Sequence, residues 1–344
     1  MTTATAPPTQ ISVNERNFRP QTLSDFIGQR QLKQTMQLML HSAKTRQATL
    51  EHVAFFGGPG LGKTTLAAII AYEANSRLHE IAAPSIGRPG DLASALTMLQ
   101  PNDILFLDEI HALKRDSAET LYSAMEDFKV SIKLSKDSDP ITMKVHPFTL
   151  IGSTTDFGLL PGPMRARFGH SFHLQPYTLD ELVQIIERAA EKMGFFTEEE
   201  ALQAIARRSR GTPRVALRLL RRCVDVAISS DEDFIDTELV EATMPILGLD
   251  ALGLEEADRQ YLAALIEIYR GGPAGLGAIA ANAGLDMSTA KNIVEPALLL
   301  MGLVARTPRG RRVTRAGHKH HQTFAQSAAS VNWNRIEAAD QAVN

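Results

Sequence analysis

The residues with the clearest chemical purpose are the nine at positions 57–65, Gly-Gly-Pro-Gly-Leu-Gly-Lys-Thr-Thr. They match the pattern G-x-x-x-x-G-K-[ST] and lie between an apolar run at 53–56 and a helix-forming run at 66–71. Glycines let the backbone curl so that its N–H groups point at phosphate oxygens, and the following helix presents its positive end to them. We call residues 57–65 the phosphate loop and expect it to bind a nucleoside triphosphate.

Within the phosphate loop, Lys63 can reach the β- and γ-phosphates and the Thr64 hydroxyl can ligate Mg²⁺. A glycine-rich turn without the Lys-Thr pair would be read as an ordinary turn. The predicted nucleotide-binding residues of the loop are Gly60, Gly62, Lys63, Thr64 and Thr65.

A second stretch, residues 103–109, is an apolar run that ends in two adjacent carboxylates, Asp108 and Glu109. Four consecutive apolar residues indicate a strand buried on both faces, as in a parallel sheet. In a phosphate-loop enzyme, Asp108 would hold the hydrated Mg²⁺ and Glu109 would polarise the attacking water as a general base. The alternative, that the pair merely begins a solvated helix, is disfavoured by the preceding loop and strand.

Polar residues at three further places could face a nucleotide. The apolar strand predicted at 148–155 ends in hydroxyls, which either sense the γ-phosphate or simply end the strand. Arg165 and Arg167 lie at a predicted helix end, and arginine can stabilise phosphoryl-transfer charge when a neighbouring subunit supplies it. Arg214 falls in the first turn of a helix that Pro213 opens, where a cation opposes the helix dipole. A nearby phosphate explains Arg214 better than helix stability does.

The elements that position these residues change in character along the chain. A strand–helix pattern gives way near Tyr177 to helices, and Thr178 with Glu181 forms a capping box. From about Leu254, three helices and a hairpin turning at 308–310 indicate a winged helix, a relative of the helix-turn-helix used on DNA. Residues 305–321 carry six basic residues and no acid, which predicts phosphate contacts on DNA in this context and a solvated loop outside it.

Residues 129–147 alternate apolar and polar side chains on both sides of a turn at 136–140, which predicts a β-hairpin. It is either an ordinary edge hairpin or a docking arm with an exposed apolar row.

Composition narrows the class of protein. The 344 residues suffice for two or three domains, and the net charge of −3 gives no global sign of nucleic-acid binding. The single cysteine, Cys223, excludes an intramolecular disulfide and favours the cytoplasm. No secretory signal and no apolar run long enough to span a bilayer is present. We expect residues 1–15 to be a disordered tail.

Taken together, the motifs resemble the RuvB family, AAA+ ATPases that drive Holliday-junction branch migration. The strings Met-Glu-Asp-Phe at 125–128 and Thr-Pro-Arg-Gly-Arg at 307–311 make the match more specific than the phosphate loop alone. The resemblance runs from about residue 16 to 316. The residues that carry it are Phe18-Arg19-Pro20, Ile27-Gly28-Gln29, Gly57 to Thr65, Gly90-Asp91-Leu92, Leu107 to His111, Ala124 to Phe128, Phe148 to Thr155, Arg165 to Gly169, Arg208 to Arg214 and Arg306 to Arg311.

The resemblance implies an α/β P-loop NTPase (AAA+) core with a parallel sheet, a small all-α lid domain and a C-terminal winged-helix domain. The corresponding boundaries are 16–177 for the core, 178–250 for the lid, 251–321 for the winged helix and 322–344 for a tail of unknown role.

The resemblance also implies residue roles. Thr155, or Thr154, would be the γ-phosphate sensor, Arg167 an arginine finger acting on a neighbouring subunit, and Arg214 a second sensor. The remaining expected nucleotide-binding residues are Phe18, Arg19 and Tyr177 at the adenine end, with Glu126, Asp127 and Phe128. The expected DNA contacts are Arg306, Arg309 and Arg311.

The implied cofactors are ATP and Mg²⁺, and the implied partners are duplex DNA at Holliday junctions, a RuvA-like protein docked on the 129–147 hairpin and a RuvC-like resolvase. A homo-hexameric ring is also implied, with no membrane contact. Asp156 departs from the basic residue common in the family, and the hairpin is slightly short.

Two other functions are compatible with the sequence: an AAA+ loader or remodeller that uses ATP as a switch, and a DNA-binding regulator with an inert nucleotide site. Glu109 and Arg167 disfavour the latter.

Overall fold

The computed structural model describes residues 19–132 and 141–330, which form two compact units. The first unit contains the chain up to Gly194 together with the segment Gly211–Leu217. The second contains Phe195–Arg210 and the chain from Arg218 onward.

The first unit is built on a five-stranded sheet in which every neighbouring pair is parallel. The spatial order is β2-β3-β6-β1-β7. These strands are β1 (Val53–Phe56), β2 (Leu78–Ala82), β3 (Ile104–Asp108), β6 (Thr149–Thr154) and β7 (His170–His173). The three central strands are almost wholly buried, whereas edge strands β2 and β7 are half exposed. The predicted parallel sheet is confirmed, and its carboxyl edge gathers the residues that follow β1, β3 and β6.

Helices cover this sheet, and α3 and α4 pack their apolar residues on it in a continuous core. The capping box predicted at Thr178 is confirmed, since Thr178 Oγ1 accepts from the Glu181 N–H (3.3 Å) and the Glu181 carboxylate from the Thr178 N–H (2.9 Å). The helices of the first unit are α1 (Arg30–Arg46), α2 (Lys63–Glu73), α3 (Pro89–Thr97), α4 (Arg115–Asp127), α5 (Gly162–Ala166) and α6 (Leu179–Met193).

The predicted hairpin is present as the antiparallel pair β4 (Lys129–Ile132) and β5 (Ile141–Lys144), and its tip at 133–140 lies outside the described residues. Part of its apolar row is not an exposed surface, because Val130 and Val145 are buried in the core. Ile141 is 47% exposed. The base of the hairpin is therefore fixed by the core that supports the sheet.

The second unit is mainly helical, and α8 enters it after beginning in the first unit at the predicted Pro213. A two-residue parallel pair, β8 (Phe196–Thr197) and β9 (Phe234–Ile235), lies within the stretch that was predicted to be all helical. Cys223 is buried in α8, and burial raises the pKa of its thiol to about 12. The helices are α7 (Glu199–Arg208), α8 (Pro213–Ser229), α9 (Thr237–Ile246), α10 (Glu256–Ala263), α11 (Leu276–Asn282), α12 (Met287–Thr289), α13 (Glu295–Leu300) and α14 (Arg315–Ser330).

The winged-helix arrangement is present in the second unit. Helices α10 to α13 and the hairpin of β10 (Val304–Thr307) and β11 (Gly310–Val313) share one apolar core. Helix α14 was not predicted, and the tail assigned from residue 322 is helical as far as Ser330. Gly317 in its first turns passes so close to the Leu303 carbonyl that a Cβ would not fit, which anchors α14 beside the hairpin.

Candidate functional site

The phosphate loop adopts a backbone that its glycines make possible. Gly57, Gly60 and Gly62 have φ of 137°, 78° and 101°, a region that favours glycine. A Cβ on Gly60 would lie 2.9 Å from the Cβ of Arg214 and from the Cγ2 of Thr212. Gly60 is therefore required by both its own conformation and the close packing of the segment that carries Arg214.

Lys63 is 8% exposed, and its Nζ donates to the carbonyls of Gly57 (2.8 Å) and Gly58 (2.9 Å). Burial lowers the pKa of Lys63, the carboxylates of Glu109 and Asp108 act to raise it, and Arg214 lowers it further. The phosphate loop follows β1, and Asp108 and Glu109 lie at the end of β3; both strands flank β6 in the parallel sheet, so these residues share its carboxyl edge. Thr64 and Thr65 are half-buried in the first turn of α2.

Asp108 ends β3, and one of its carboxylate oxygens is held by two donors. Oδ1 accepts a short hydrogen bond from Ser153 Oγ and another from the Glu109 N–H at 3.2 Å. Ser153 is wholly buried on the adjacent β6, and Glu109 has a positive φ of 53°. Sequence reasoning missed Ser153 as the partner of Asp108. The signal was the run of hydroxyls at the end of β6, for which only a role towards the γ-phosphate or in ending the strand was predicted.

The two candidate sensor threonines differ in environment. Thr154 is fully buried, and its hydroxyl lies 2.9 Å from His111 Nδ1 and donates to the Asp156 carbonyl at 3.0 Å. Thr155, the next residue, is exposed beyond the end of β6. The Thr154 hydroxyl is thus engaged internally, which favours Thr155 as the sensor.

Arg167 lies at the opposite edge of the sheet from the phosphate loop. It precedes the amino end of β7, and the nearby Gly169 N–H donates to the carbonyl of His52, just before β1. The phosphate loop follows the carboxyl end of β1, so a four-residue strand of about 13 Å separates the two. Arg167 therefore cannot serve the phosphates bound by its own chain.

The Arg167 guanidinium is held by groups of its own subunit. Nη1 donates to the Pro163 carbonyl (2.7 Å), Nη2 lies 2.9 Å from a Glu126 carboxylate oxygen, and the guanidinium carbon is 4.7 Å from the centre of the Tyr122 ring. Glu126 and Tyr122 were not predicted as its partners, because only folding brings α4 beside α5.

Asp127 and Phe128, which were predicted with Glu126 to bind nucleotide, also lie at the end of α4 near the amino edge of the sheet. His52 Nε2 lies 3.2 Å from the Met125 carbonyl, which places the end of α4 at the amino edge of β1. Phe128 ends α4 with φ 51° and packs edge-on against Phe148, with ring centres 6.2 Å apart. Glu126, Asp127 and Phe128 are therefore not beside the phosphate loop of their own chain.

Tyr177 packs against the phosphate loop. It is 6% exposed, and its hydroxyl donates to the Leu61 carbonyl at 3.2 Å. Burial raises the pKa of Tyr177, and Glu181 adds to the effect. Arg19 is exposed, and Phe18 lies outside the described residues.

In the winged helix, two of the three predicted DNA-binding arginines are paired with an acid. Arg306 and Arg311 both donate to Glu295, whose side chain is fully buried, at 2.9 and 2.6 Å. The Arg311 side chain is only 25% exposed and that of Arg306 is 58% exposed. Burial acts to raise the pKa of Glu295, but the hydrogen bonds from Arg311 and Arg306 outweigh it and lower the pKa. Arg309 is exposed in the turn between β10 and β11.

These features define a P-loop ATPase with a parallel-sheet core, followed by lid and winged-helix domains. Family models match almost the whole chain: the Holliday junction DNA helicase RuvB P-loop domain over residues 18–174, the RuvB AAA lid domain over 177–250 and the RuvB C-terminal winged helix domain over 251–322. The chain belongs to the RuvB family.

Individual relatives agree with the family models. Two proteins called Holliday junction branch migration complex subunit RuvB are similar over most of their length. The one from Ligilactobacillus salivarius is 46% identical over 90% of this chain and 92% of that protein. The one from Pseudothermotoga lettingae is 48% identical over 88% and 89%. The solved Thermotoga maritima RuvB Holliday junction branch migration motor matches with a TM-score of 0.80 at 46% identity, covering 89% of this chain and 98% of that one.

No described helix combines the length and apolar character needed to cross a membrane. No group of three or more His, Cys, Asp or Glu side chains in the described ranges could hold a metal ion by itself.

Proposed function

We propose that this protein is the ATP-hydrolysing subunit of a motor that moves Holliday junctions along duplex DNA. The observation that carries the proposal is the placement of the phosphate loop with Lys63, and of Asp108 and Glu109, at the carboxyl edge of one parallel sheet, with Arg214 packed against Gly60. Membership of the RuvB family supports the same reaction.

We assign Mg²⁺ to Asp108 and Thr64. A protein cage is not needed, since Mg²⁺ keeps several waters and binds through one or two carboxylates and the substrate phosphates. Ser153 and the Glu109 N–H hold Oδ1 of Asp108 and so fix the carboxylate that would hold the hydrated ion. When bound, Mg²⁺ would neutralise charge on the phosphates.

The chain's own residues divide the remaining work. Lys63 and the loop N–H groups bind the β- and γ-phosphates, Glu109 accepts a proton from the attacking water, and Thr155 and Arg214 contact the γ-phosphate. Tyr177, Arg19 and Phe18 are assigned to the side of the loop where the base binds.

Arg167 acts on the nucleotide of a neighbouring subunit. Its place at the amino edge of the sheet supports this role, because its own phosphate loop lies across the full length of β1. Glu126 lies in the same cluster and faces the same neighbour, with Asp127 and Phe128 beside it. We propose that the subunits form a homo-hexameric ring in the cytoplasm.

We propose further that the winged helix contacts duplex DNA through exposed Arg309, and that a RuvA-like protein docks on the 129–147 hairpin. A RuvC-like resolvase would act in the wider complex. The relatives named as subunits of a branch migration complex support an assembly of this kind.

The test is dissociation of a synthetic four-way junction by the full chain with ATP and Mg²⁺, with and without a RuvA-like protein. We expect partner-stimulated dissociation that is lost in Lys63→Ala and retained in Lys44→Ala, an exposed lysine on α1.

ATP hydrolysis without junction movement under either condition would overturn the motor and favour the loader. Absence of any DNA-stimulated hydrolysis would favour a regulator with an inert site.

A further inference from the structure

The imidazole of His111 lies between the general-base candidate and the end of β6. His111 Nδ1 is 3.2 Å from a Glu109 carboxylate oxygen and 2.9 Å from Thr154 Oγ1. The His111 side chain is 24% exposed and that of Glu109 is 38% exposed. None of the roles assigned above uses this imidazole.

Two neighbours of Nδ1 indicate which nitrogen of His111 carries the hydrogen. The Glu109 carboxylate oxygen at 3.2 Å can only accept, and the Thr154 oxygen can accept while its own hydrogen goes to the Asp156 carbonyl at 3.0 Å. We therefore assign the hydrogen to Nδ1. The Nδ1–H group then lies beside the Glu109 carboxylate, which is a favourable contact. In the other neutral tautomer, Nδ1 would present a lone pair to the carboxylate, which is unfavourable.

The backbone groups of Glu109 and Thr154, the two residues that contact His111, are themselves hydrogen-bonded. The Glu109 N–H donates to Asp108, and the Thr154 carbonyl accepts from the Gly57 N–H at 3.3 Å. Glu109 directly follows β3, so it lies at the same carboxyl edge of the sheet as the phosphate loop that follows β1. The imidazole thus connects the Glu109 side chain to the strand that adjoins the loop.

We propose that His111 is a positioning residue for ATP hydrolysis: anchored by Thr154, it holds the Glu109 carboxylate in the orientation that accepts a proton from the attacking water. The inference rests on the proposed ATPase function. His111 touches neither substrate nor reacting atoms in this role, and it acts only through Glu109.

The experiment compares steady-state ATP hydrolysis and binding of a fluorescent ATP analogue for the full chain and its variants. His111→Ala should lower kcat about 10- to 100-fold, because small misplacement of a catalytic group has costs of this order. Analogue binding should stay within about twofold, because the phosphate loop is intact. His111→Asn, whose side-chain amide can replace the Nδ1–H donor, should recover most of the lost kcat.

A second pair of variants probes the anchor. Thr154→Val removes the oxygen that accepts from His111 and should lower kcat, whereas Thr154→Ser keeps the oxygen and should restore it. His79→Ala is the matched control, because it removes a histidine–carboxylate contact (2.8 Å to Asp103) at the other end of the same strand, β3. It should leave kcat within about twofold.

Unchanged kcat in His111→Ala, equal losses in the Ala and Asn variants, or a rise in basal hydrolysis would overturn the positioning role. A purely structural role would instead lower thermal stability and analogue binding together, and this too contradicts the proposal. If the unmodified chain itself hydrolyses no ATP, the proposed function fails, an outcome distinct from failure of the His111 inference alone.

Discussion

At the scale of single residues, the side chains that the sequence predicts for the nucleotide site fall into two sets, which lie at opposite edges of the sheet. Lys63, Asp108 and Glu109 belong to the carboxyl edge, and Arg167 and Glu126 to the amino edge. A motif gives the type of a residue but not the edge at which it lies. The separation makes the proposed action of Arg167 between subunits directly testable.

The test mixes two variants that each lack one half of the site. Arg167→Ala and Glu109→Gln should each lose at least about 10³-fold in turnover while still binding ATP, because each removes a group needed in the transition state. Mixed in equal amounts before assembly, they should regain up to about a quarter of the wild-type rate, since roughly one interface in four pairs an intact Glu109 with an intact Arg167.

The control for this mixture is Arg115→Ala, which removes an exposed arginine–glutamate pair on α4 and should not impair turnover. A mixture as inactive as its components would contradict action between subunits.

Elements with strong patterns were predicted well, and weakly patterned ones were not. Strand β3 is a continuous apolar run, β6 is a buried strand that ends in hydroxyls, and α6 begins at a capping box, so these elements were evident from the sequence. Edge strands β2 and β7 have half-exposed, mixed sequences that carry no such signal. Helix α14 was missed because its contacts with the hairpin are formed only in the fold.

The same limit applies to the candidate site. The phosphate loop and the Asp-Glu pair follow from spacing, but the bonds from Ser153 to Asp108 and from His111 to Thr154 join residues more than 40 positions apart. Glu295 was overlooked because it looks like an ordinary helical acid. Because buried Glu295 pairs with Arg306 and Arg311, these two arginines are expected to stabilise the hairpin.

For the wing, we expect Arg309→Ala and Arg311→Ala to act differently. Loss of exposed Arg309 should weaken DNA binding across sequences and reduce the slope of log affinity against log salt by about one. Loss of Arg311 should chiefly lower the stability of the hairpin, because its guanidinium is committed to Glu295. Fluorescence anisotropy at several salt concentrations, with thermal unfolding of each variant, separates the two effects.

An equal reduction in salt slope for both variants, with unchanged melting temperatures, would mean that Arg311 contacts phosphate as the sequence first suggested.

Glu295→Gln should destabilise the second unit by about 2 kcal/mol, less than a fully buried pair would give, because Arg306 remains more than half exposed. The pKa of Glu295 is lowered in the fold, so its contribution is complete above the ordinary value of 4.5 and is lost as pH falls through the lowered one. The difference in melting temperature between wild type and variant should therefore be largest near neutral pH and shrink below pH 4.5.

Asp225→Asn, which breaks an exposed pair with Arg222 on α8, serves as the control and should change stability by less than about 0.5 kcal/mol. A pH-independent difference for the Glu295 variant would show that its charge is not the stabilising factor.

At the scale of the whole molecule, the proposed action of Arg167 on a neighbour requires subunits to associate head to tail, because the nucleotide loop and the arginine lie at opposite edges of the sheet. Such heterologous contacts form a closed ring or an open filament, and a two-fold dimer would leave half of each site unused. Specific ATPase activity should therefore rise with protein concentration and fall away on dilution at saturating ATP. Activity that stays proportional to concentration down to fully dissociated subunits would contradict this.

The position of Arg167 and the phosphate loop at opposite edges of the sheet also bears on when ATP is hydrolysed. On the proposed scheme, a lone subunit can hold ATP but has no neighbour's arginine at its phosphates, so free copies act as a loaded and idle reserve. Energy is then spent only where subunits have gathered, and the rate of ATP consumption follows the degree of assembly.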